Sequence, residues 1–399
     1  MLKSLHKGLR TWIEIDKKAI KHNYKVFRNL IGKKCKMLAV VKSNAYGHNL
    51  IEFAKEQEKL GVEFLGVDSV VEAFTLRREG IKIPILVLGY TLPEMMKEAS
   101  RENISITISN FESLNAINKL YLSSSRMRGS RNSNLDSRLH GNDTREIKIH
   151  IKVDTGMNRH GFFEKDIPKV LVILKNNKKI IVEGLYTHFS IAKNPHDKKY
   201  TNSQIEKFKK WQKAFLSAGY NPICHASATS GTLLFKEADF DMVRIGIGLY
   251  GIWPSKESYN YLKNKITLKP VLSWKTIVAE IKEIPKGSKV GYDGTNTVKR
   301  NTTLAVCPIG YWHGYPRALS NIGYVLVNGQ KAKVLGRICM DIIMIDITNI
   351  KNVKVGNEVV IIGKSKNNEI KADDISKLID GSTYELLTRI NPLIKRFYI

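Results

Sequence analysis

Cysteine is scarce in this chain: Cys35, Cys224, Cys307 and Cys339 are the only four among 399 residues, far apart and without a CxxC or Cys/His cluster. That spacing excludes a disulfide framework, gives no reason to expect a metal, and fits a reducing compartment. Long apolar runs are missing too. None approaches the ~18 residues that a spanning helix needs, so no membrane role is expected. The opening MLKSLHKGLRTWIEID has basic residues but no apolar h-region, which speaks against a secretory signal. A soluble, cytoplasmic protein is the expectation. Acidic residues are also in deficit, 37 Asp and Glu against 65 Lys and Arg, for a formal charge of +28. The excess is spread along the chain with neither a dense block nor aromatic interleaving. It reads as a basic solvated surface and not as a nucleic-acid interface.

What is present is a rhythm. Short apolar runs at 37–41, 64–67, 84–88, 104–108, 149–153, 181–186, 222–226 and 242–246 alternate with helix-like stretches such as IEKFKKWQKAFLSAG. Eight such units in one continuous region predict a TIM (β/α)8 barrel over residues 12–250. A doubly wound sheet would want a GxGxxG turn after its first strand, and there is none. After about residue 250 the pattern changes to alternating apolar and polar positions separated by NG and KG turns. A mostly antiparallel β domain is expected over 251–399, joined by residues 1–11. Residues 123–146, rich in Ser, Arg, Asn and Gly, interrupt the barrel rhythm and read as an exposed, flexible insertion.

Chemistry gathers where the barrel strands end. AVVKSNAYGHN puts Lys42 after the first strand, followed by Tyr46. KVDTGMNRHG carries Asp154 and Arg159 after the fifth, THFS carries His188 after the sixth, and ASATSG carries Thr229 and Ser230 after the seventh. VRIGIGLYG then sets Arg244, Gly246 and Gly248 at the eighth. The carboxyl ends of barrel strands are where such folds build active sites, and the turns after strands seven and eight are their usual phosphate site. A lysine, a phosphate cradle and an arginine together suggest pyridoxal phosphate (PLP) held covalently by the lysine. Each residue has a plainer reading. His188 could be a satisfied core histidine, Tyr292 a surface aromatic, Lys152 an edge residue and Cys339 a small packed side chain.

These motifs, with RTWIEIDKKAIKHN, VGYDGT, PIGYWHG, LGRICMD and STYELLTRI, follow an order that resembles the alanine racemase family over nearly the whole chain. The resemblance implies a PLP-dependent isomerase that interconverts L- and D-alanine by a two-base mechanism, supplies D-alanine for peptidoglycan, and works as a head-to-tail homodimer. It implies that Lys42 carries PLP and acts as one base, with Tyr292 as the other. Tyr46, Thr229, Gly246, Ile247 and Tyr384 would hold the phosphate, Arg244 would face the pyridine nitrogen, and His188 would hydrogen-bond Tyr292. Arg159 and the backbone of Met340 would bind the substrate carboxylate. Lys152 matches a lysine that many members carry as a carbamate, and Tyr311 one that narrows the entrance. Three positions depart from the family pattern. Ala228 and Thr229 stand where asparagine and serine are usual, and His313 where aspartate often is. A PLP-binding protein without turnover, a racemase of another small amino acid, and a PLP decarboxylase are the competing readings. The last would be expected to carry an acidic residue where this chain has Arg244.

Overall fold

The structure, a computed structural model, describes residues 6–126 and 146–399. Most of the expected insertion at 123–146 lies outside the described residues. The chain divides into two compact units: one comprises Lys21–Ser43 and Leu50–Leu268, the other the residues before Lys21, Asn44–Asn49 and Lys269–Ile399.

The first unit is the expected barrel. Its eight strands are Lys36–Val40, Phe64–Val67, Ile85–Val87, Ile104–Ile108, Ile147–Lys152, Ile180–Tyr186, Ile223–His225 and Met242–Ile245. The first seven pair in parallel with their sequence neighbours, and the eighth returns to pair in parallel with the first. Between the seventh and eighth the ladder is reduced to a bridge at Ala228 and Arg244, reinforced by Arg244 N–H donating to Ser227 O at 2.9 Å. Strands covered on both faces need apolar residues at successive positions, which is why each run in the sequence is short and nearly continuous. The surrounding helices bury one stripe each: Lys199–Ser217 turns Gln204, Ile205, Phe208, Trp211 and Phe215 inward at helical spacing. The helix Lys256–Leu262, beyond the expected boundary at 250, clusters with this unit; the Ser255 hydroxyl that starts it also donates to Lys193 O at 3.1 Å.

The second unit is built on a ten-stranded sheet. Its pairings are antiparallel apart from one: Thr11–Ile15 runs antiparallel to Leu272–Ile277 but parallel to Arg396–Tyr398. The NG turn expected from sequence joins Tyr324–Val327 to Gln330–Leu335, with Asn328 and Gly329 both at positive φ, as a two-residue hairpin of this hand requires. A core of Val290, Val298, Leu304, Leu335 and Met344 fills the space near Tyr292, and Cys339 packs against it. Among the described residues no helix is long and apolar enough to cross a membrane.

Candidate active site

Lys42 leaves the first barrel strand and opens a short helical turn, Lys42–Tyr46. The turn is left-handed: φ is 56° at Ser43, 55° at Asn44, 50° at Ala45 and 52° at Tyr46. For residues with a Cβ this region costs roughly 1–2 kcal/mol each, so the surroundings must over-determine it. They do. In the barrel unit, Ser43 N–H donates to Glu72 Oε1 at 2.7 Å, and Lys42 Nζ reaches Asp68 Oδ1 at 3.0 Å. In the β unit, the His48 Nδ1–H is shared between the carbonyls of Ala45 and Tyr46, while burial pushes its ring down to about 4 and keeps it neutral. Arg396 Nε donates to Gly47 O and the Tyr398 hydroxyl to His48 O. Tyr46 and Tyr384 face each other with ring centroids 6.1 Å apart. Burial raises both hydroxyls, Tyr384 to about 12, so each remains a protonated donor.

Arg244 is the hub of the barrel mouth. It is 3% exposed, and its guanidinium donates to the carbonyls of Thr187, His225 and Ala226 at 2.7–3.0 Å. Two imidazoles complete its shell: His225 Nδ1 at 2.8 Å and His188 Nδ1 at 3.2 Å. No carboxylate is among these partners, so the positive charge is oriented but not cancelled. Its effect shows on its neighbours. Burial and then the charges of Arg244, Arg159, Lys152 and Lys42 hold His188 well below the usual imidazole range. Burial, Arg159, Arg244 and Lys42 likewise push the Lys152 amine down to about 8. Lys152 lies 5.5 Å from the centroid of Tyr186, whose ring stacks on His225.

Arg159 sits on a loop shaped by Asp154, whose carboxylate accepts the N–H groups of Gly156, Met157 and Arg159. Asp154 is therefore a turn former. After strands seven and eight, the N–H groups of Gly246 and Gly248 both donate to Thr229 Oγ1, at 3.2 and 3.3 Å. That hydroxyl has its own proton to give onward. Glycine is required at 248, where a Cβ would come within 2.4 Å of the Phe27 ring. Ile247 begins the 3-10 turn Ile247–Tyr250 that follows.

In the β unit Tyr292, Tyr311 and Met340 line one cavity of about 320 Å³, with Asp293, Arg317 and Arg337. They are 70%, 44% and 55% exposed. Arg337 Nε pairs with Asp293 at 3.1 Å, bracing the turn that presents Tyr292. Tyr311 N–H donates to Cys339 O and Trp312 N–H to Met340 O, which ties PIGYWHG to GRICMD. His313 Nδ1 accepts the Gly310 N–H and lies 3.9 Å from Asp341.

The expected residues thus form three groups: Lys42, Lys152, Arg159, His188 and Arg244 with the Thr229–Gly246–Ile247 cradle; Tyr46 with Tyr384; and Tyr292 with Tyr311 and Met340. Sequence reasoning missed His150, Glu183, Tyr186 and His225, all on barrel strands. The signal was there, as polar residues inside IHIKV, IVEGLY and PICHA, but those runs read only as strands.

Residues 15–254 match the family described as alanine racemase, N-terminal domain, and residues 271–398 match alanine racemase, C-terminal domain. The chain is 37% identical over 389 residues to an alanine racemase of Halothermothrix orenii, covering 97% of this chain and 96% of the relative. It is 37% identical over 391 residues to alanine racemase 2 of Bacillus subtilis, at 97% and 94% coverage. Among solved structures it is similar to alanine racemase of Clostridium difficile 630, with TM-score 0.88, 32% identity and coverage of 98% and 96%. A second is the Bacillus anthracis alanine racemase with bound L-Ala-P, with TM-score 0.87, 32% identity and coverage of 98% and 95%. Relatives that align along both units, and not along the barrel alone, settle the question of kinship: the chain belongs to the alanine racemase family.

Proposed function

We propose that this protein interconverts L- and D-alanine with PLP as its cofactor. The observation that carries the reading is Lys42, held by a strained turn at the barrel mouth, where the charges of Arg244, Arg159, Lys152 and Lys42 all bear on His188 and, among the described residues, the Arg244 guanidinium is bound by carbonyls and imidazoles instead of a carboxylate. The donor set suits the cofactor. The Thr229 hydroxyl, which accepts the Gly246 N–H and has its own proton to give, the backbone at Gly246–Ile247 around it, and the protonated hydroxyls of Tyr46 and Tyr384 make a neutral donor set of the kind a phosphate takes. Lys42 would hold the aldehyde carbon, and Arg244, with His188 beside it, would lie at the ring. When bound, PLP supplies an electron sink that makes the α-hydrogen of the amino acid acidic.

The chain's own groups then move the proton. The Lys42 amine serves one face of the α-carbon, and Tyr292 of the partner subunit serves the other, in a head-to-tail two-fold dimer. His188 accepts from Arg244 on Nδ1, so its Nε2 carries the proton that can stabilise the Tyr292 oxygen. Arg159 and the Met340 backbone take the alanine carboxylate, and Tyr311 narrows the entrance. The lowered amine of Lys152 is suited to carbamate formation, which would place an anion among the cations and orient Arg159. We assign the reaction to the cytoplasm, with D-alanine used for peptidoglycan.

The test is chiral analysis of product from a panel of small L-amino acids, followed by complementation. Lys42→Ala and Tyr292→Phe should each be nearly inactive. In a mixed dimer one site inherits both defects and the other neither. Random re-pairing of equal amounts makes half the dimers mixed, so about a quarter of wild-type activity should return. Mixed dimers without recovered activity would refute the assignment of the two bases to different subunits.

A further inference from the structure

The barrel interior holds a polar chain that the reaction as described above does not use. Arg244 Nη1 meets His225 Nδ1 at 2.8 Å, His225 Nε2 meets His150 Nδ1 at 2.9 Å, and His150 Nε2 meets Glu183 Oε2 at 3.1 Å. Ser105 Oγ also donates to that carboxylate oxygen. His150 and His225 are both 0% exposed. Two backbone features are shaped to this chain. The pairing of the fifth and sixth strands skips a residue, Ile149 opposite Val182 and then His150 opposite Gly184, which leaves Glu183 as a bulge. A bulge re-aims a side chain, here onto His150. The His150 ring also lies across Gly184, where a Cβ would come within 2.0 Å of its Nδ1.

The polarity of the chain is forced from both ends. A guanidinium can only donate, so His225 Nδ1 must be bare. Burial raises the Glu183 carboxyl, but its partners, His150 first and then Ser105 and Lys148, outweigh it and hold it below its usual range. It is ionised and only accepts. Burial and the neighbouring Arg244 keep His225 from charging, so with Nδ1 bare it carries its proton on Nε2. That N–H meets His150 Nδ1, which must accept, and His150 Nε2 donates to Glu183. A second proton on His225 would set N–H against N–H at the guanidinium, and burial beside Arg244 opposes it as well.

We propose that Glu183 and His150 are positioning residues for the racemisation assigned above: they fix His225 as its Nε2–H tautomer and thereby hold Arg244 in place with its charge intact. A carboxylate set directly on Arg244 would also orient it but would neutralise the field at the barrel mouth. Two imidazoles in series pass on the directional constraint while keeping the carboxylate at a distance.

The test uses the full chain with ring-15N histidine, with and without PLP, His225 being assigned by the signal lost in His225→Asn. Wild type should show His225 solely as Nε2–H. Glu183→Gln keeps an acceptor oxygen and should retain both the tautomer and kcat. Glu183→Leu leaves the His150 N–H without its acceptor and should mix the His225 tautomers. It should lower kcat about tenfold or more, with little change in KM for alanine. His150→Phe removes the next acceptor and should do the same, which keeps the test available if Glu183→Leu does not fold. An unchanged tautomer and kcat in either variant would overturn the proposal, as would a Glu183→Gln variant as impaired as Glu183→Leu. If wild type makes no D-alanine the functional reading fails, while the tautomer measurements still decide the chain.

Discussion

Gly47→Ala probes the turn that carries Lys42 and Tyr46. Gly47 has φ +84°, and a Cβ there would lie 2.1 Å from Leu387 O and 3.1 Å from its carbonyl carbon. The obstacle is backbone in the helix Thr383–Thr388, so it cannot swing aside as a flexible side chain would. The positive φ alone costs an L-residue roughly 1 kcal/mol. Relieving more than an ångström of overlap adds about 1–3 kcal/mol. The sum, about 2–4 kcal/mol, corresponds to a fall in melting temperature of roughly 4–16 °C for a unit of this size. Gly356→Ala is the control, because Gly356 has φ +86° but nothing within 4 Å of the added carbon. It isolates the φ term and should cost only about 1 kcal/mol. Calorimetry at fixed protein concentration reads both, following the transition of the β unit in case the two units melt separately. Racemisation should fall in Gly47→Ala more than in Gly356→Ala. Equal melting temperatures for the two variants would refute the close-contact argument.

Two further outcomes follow from the barrel mouth. In carbonate-free buffer the Lys152 amine, at about 8 when folded, releases its proton while the unfolded lysine, near 10.5, still holds one. Stability should therefore rise with pH across that interval in wild type and less so in Lys152→Met, as read by urea midpoints; parallel profiles would count against a depressed Lys152. Thr229→Val keeps the shape but removes the acceptor for the N–H groups of Gly246 and Gly248. PLP affinity, titrated by absorbance, should weaken about tenfold, and an unchanged Kd would remove Thr229 from the phosphate site.

The barrel was legible because parallel strands buried on both faces leave an uninterrupted apolar run, and each observed strand falls within two residues of its run. The left-handed turn was not. KSNAY contains one residue, Asn44, that favours positive φ, and the conformation is imposed by Glu72, His48 and other partners from beyond the turn. The bulge at Glu183 was equally hidden. IVEGLY reads as a regular strand, and only the register against His150 shows that one residue is left unpaired. Arg244 was readable as a charge at a strand end, but its environment was not. The histidine that orients it lies 19 residues away, in a run that looked like core. Local pattern reports burial well; it says little about which buried polar groups meet.

The composition of the barrel mouth bears on which reaction it favours. Arg244 has three carbonyls and two imidazoles around its guanidinium, and burial lowers it only to about 10, so it remains a cation at neutral pH. On the functional reading proposed above, a permanent cation at the ring nitrogen opposes protonation of that nitrogen. Electron density released at the α-carbon is then stabilised less than it would be beside a carboxylate. That lowers the acidity of the substrate, and it also favours prompt return of a proton over slower competing departures. On the same reading, a racemase requires that return on the opposite face, and a shell of carbonyls and imidazoles that leaves the Arg244 charge intact would favour it.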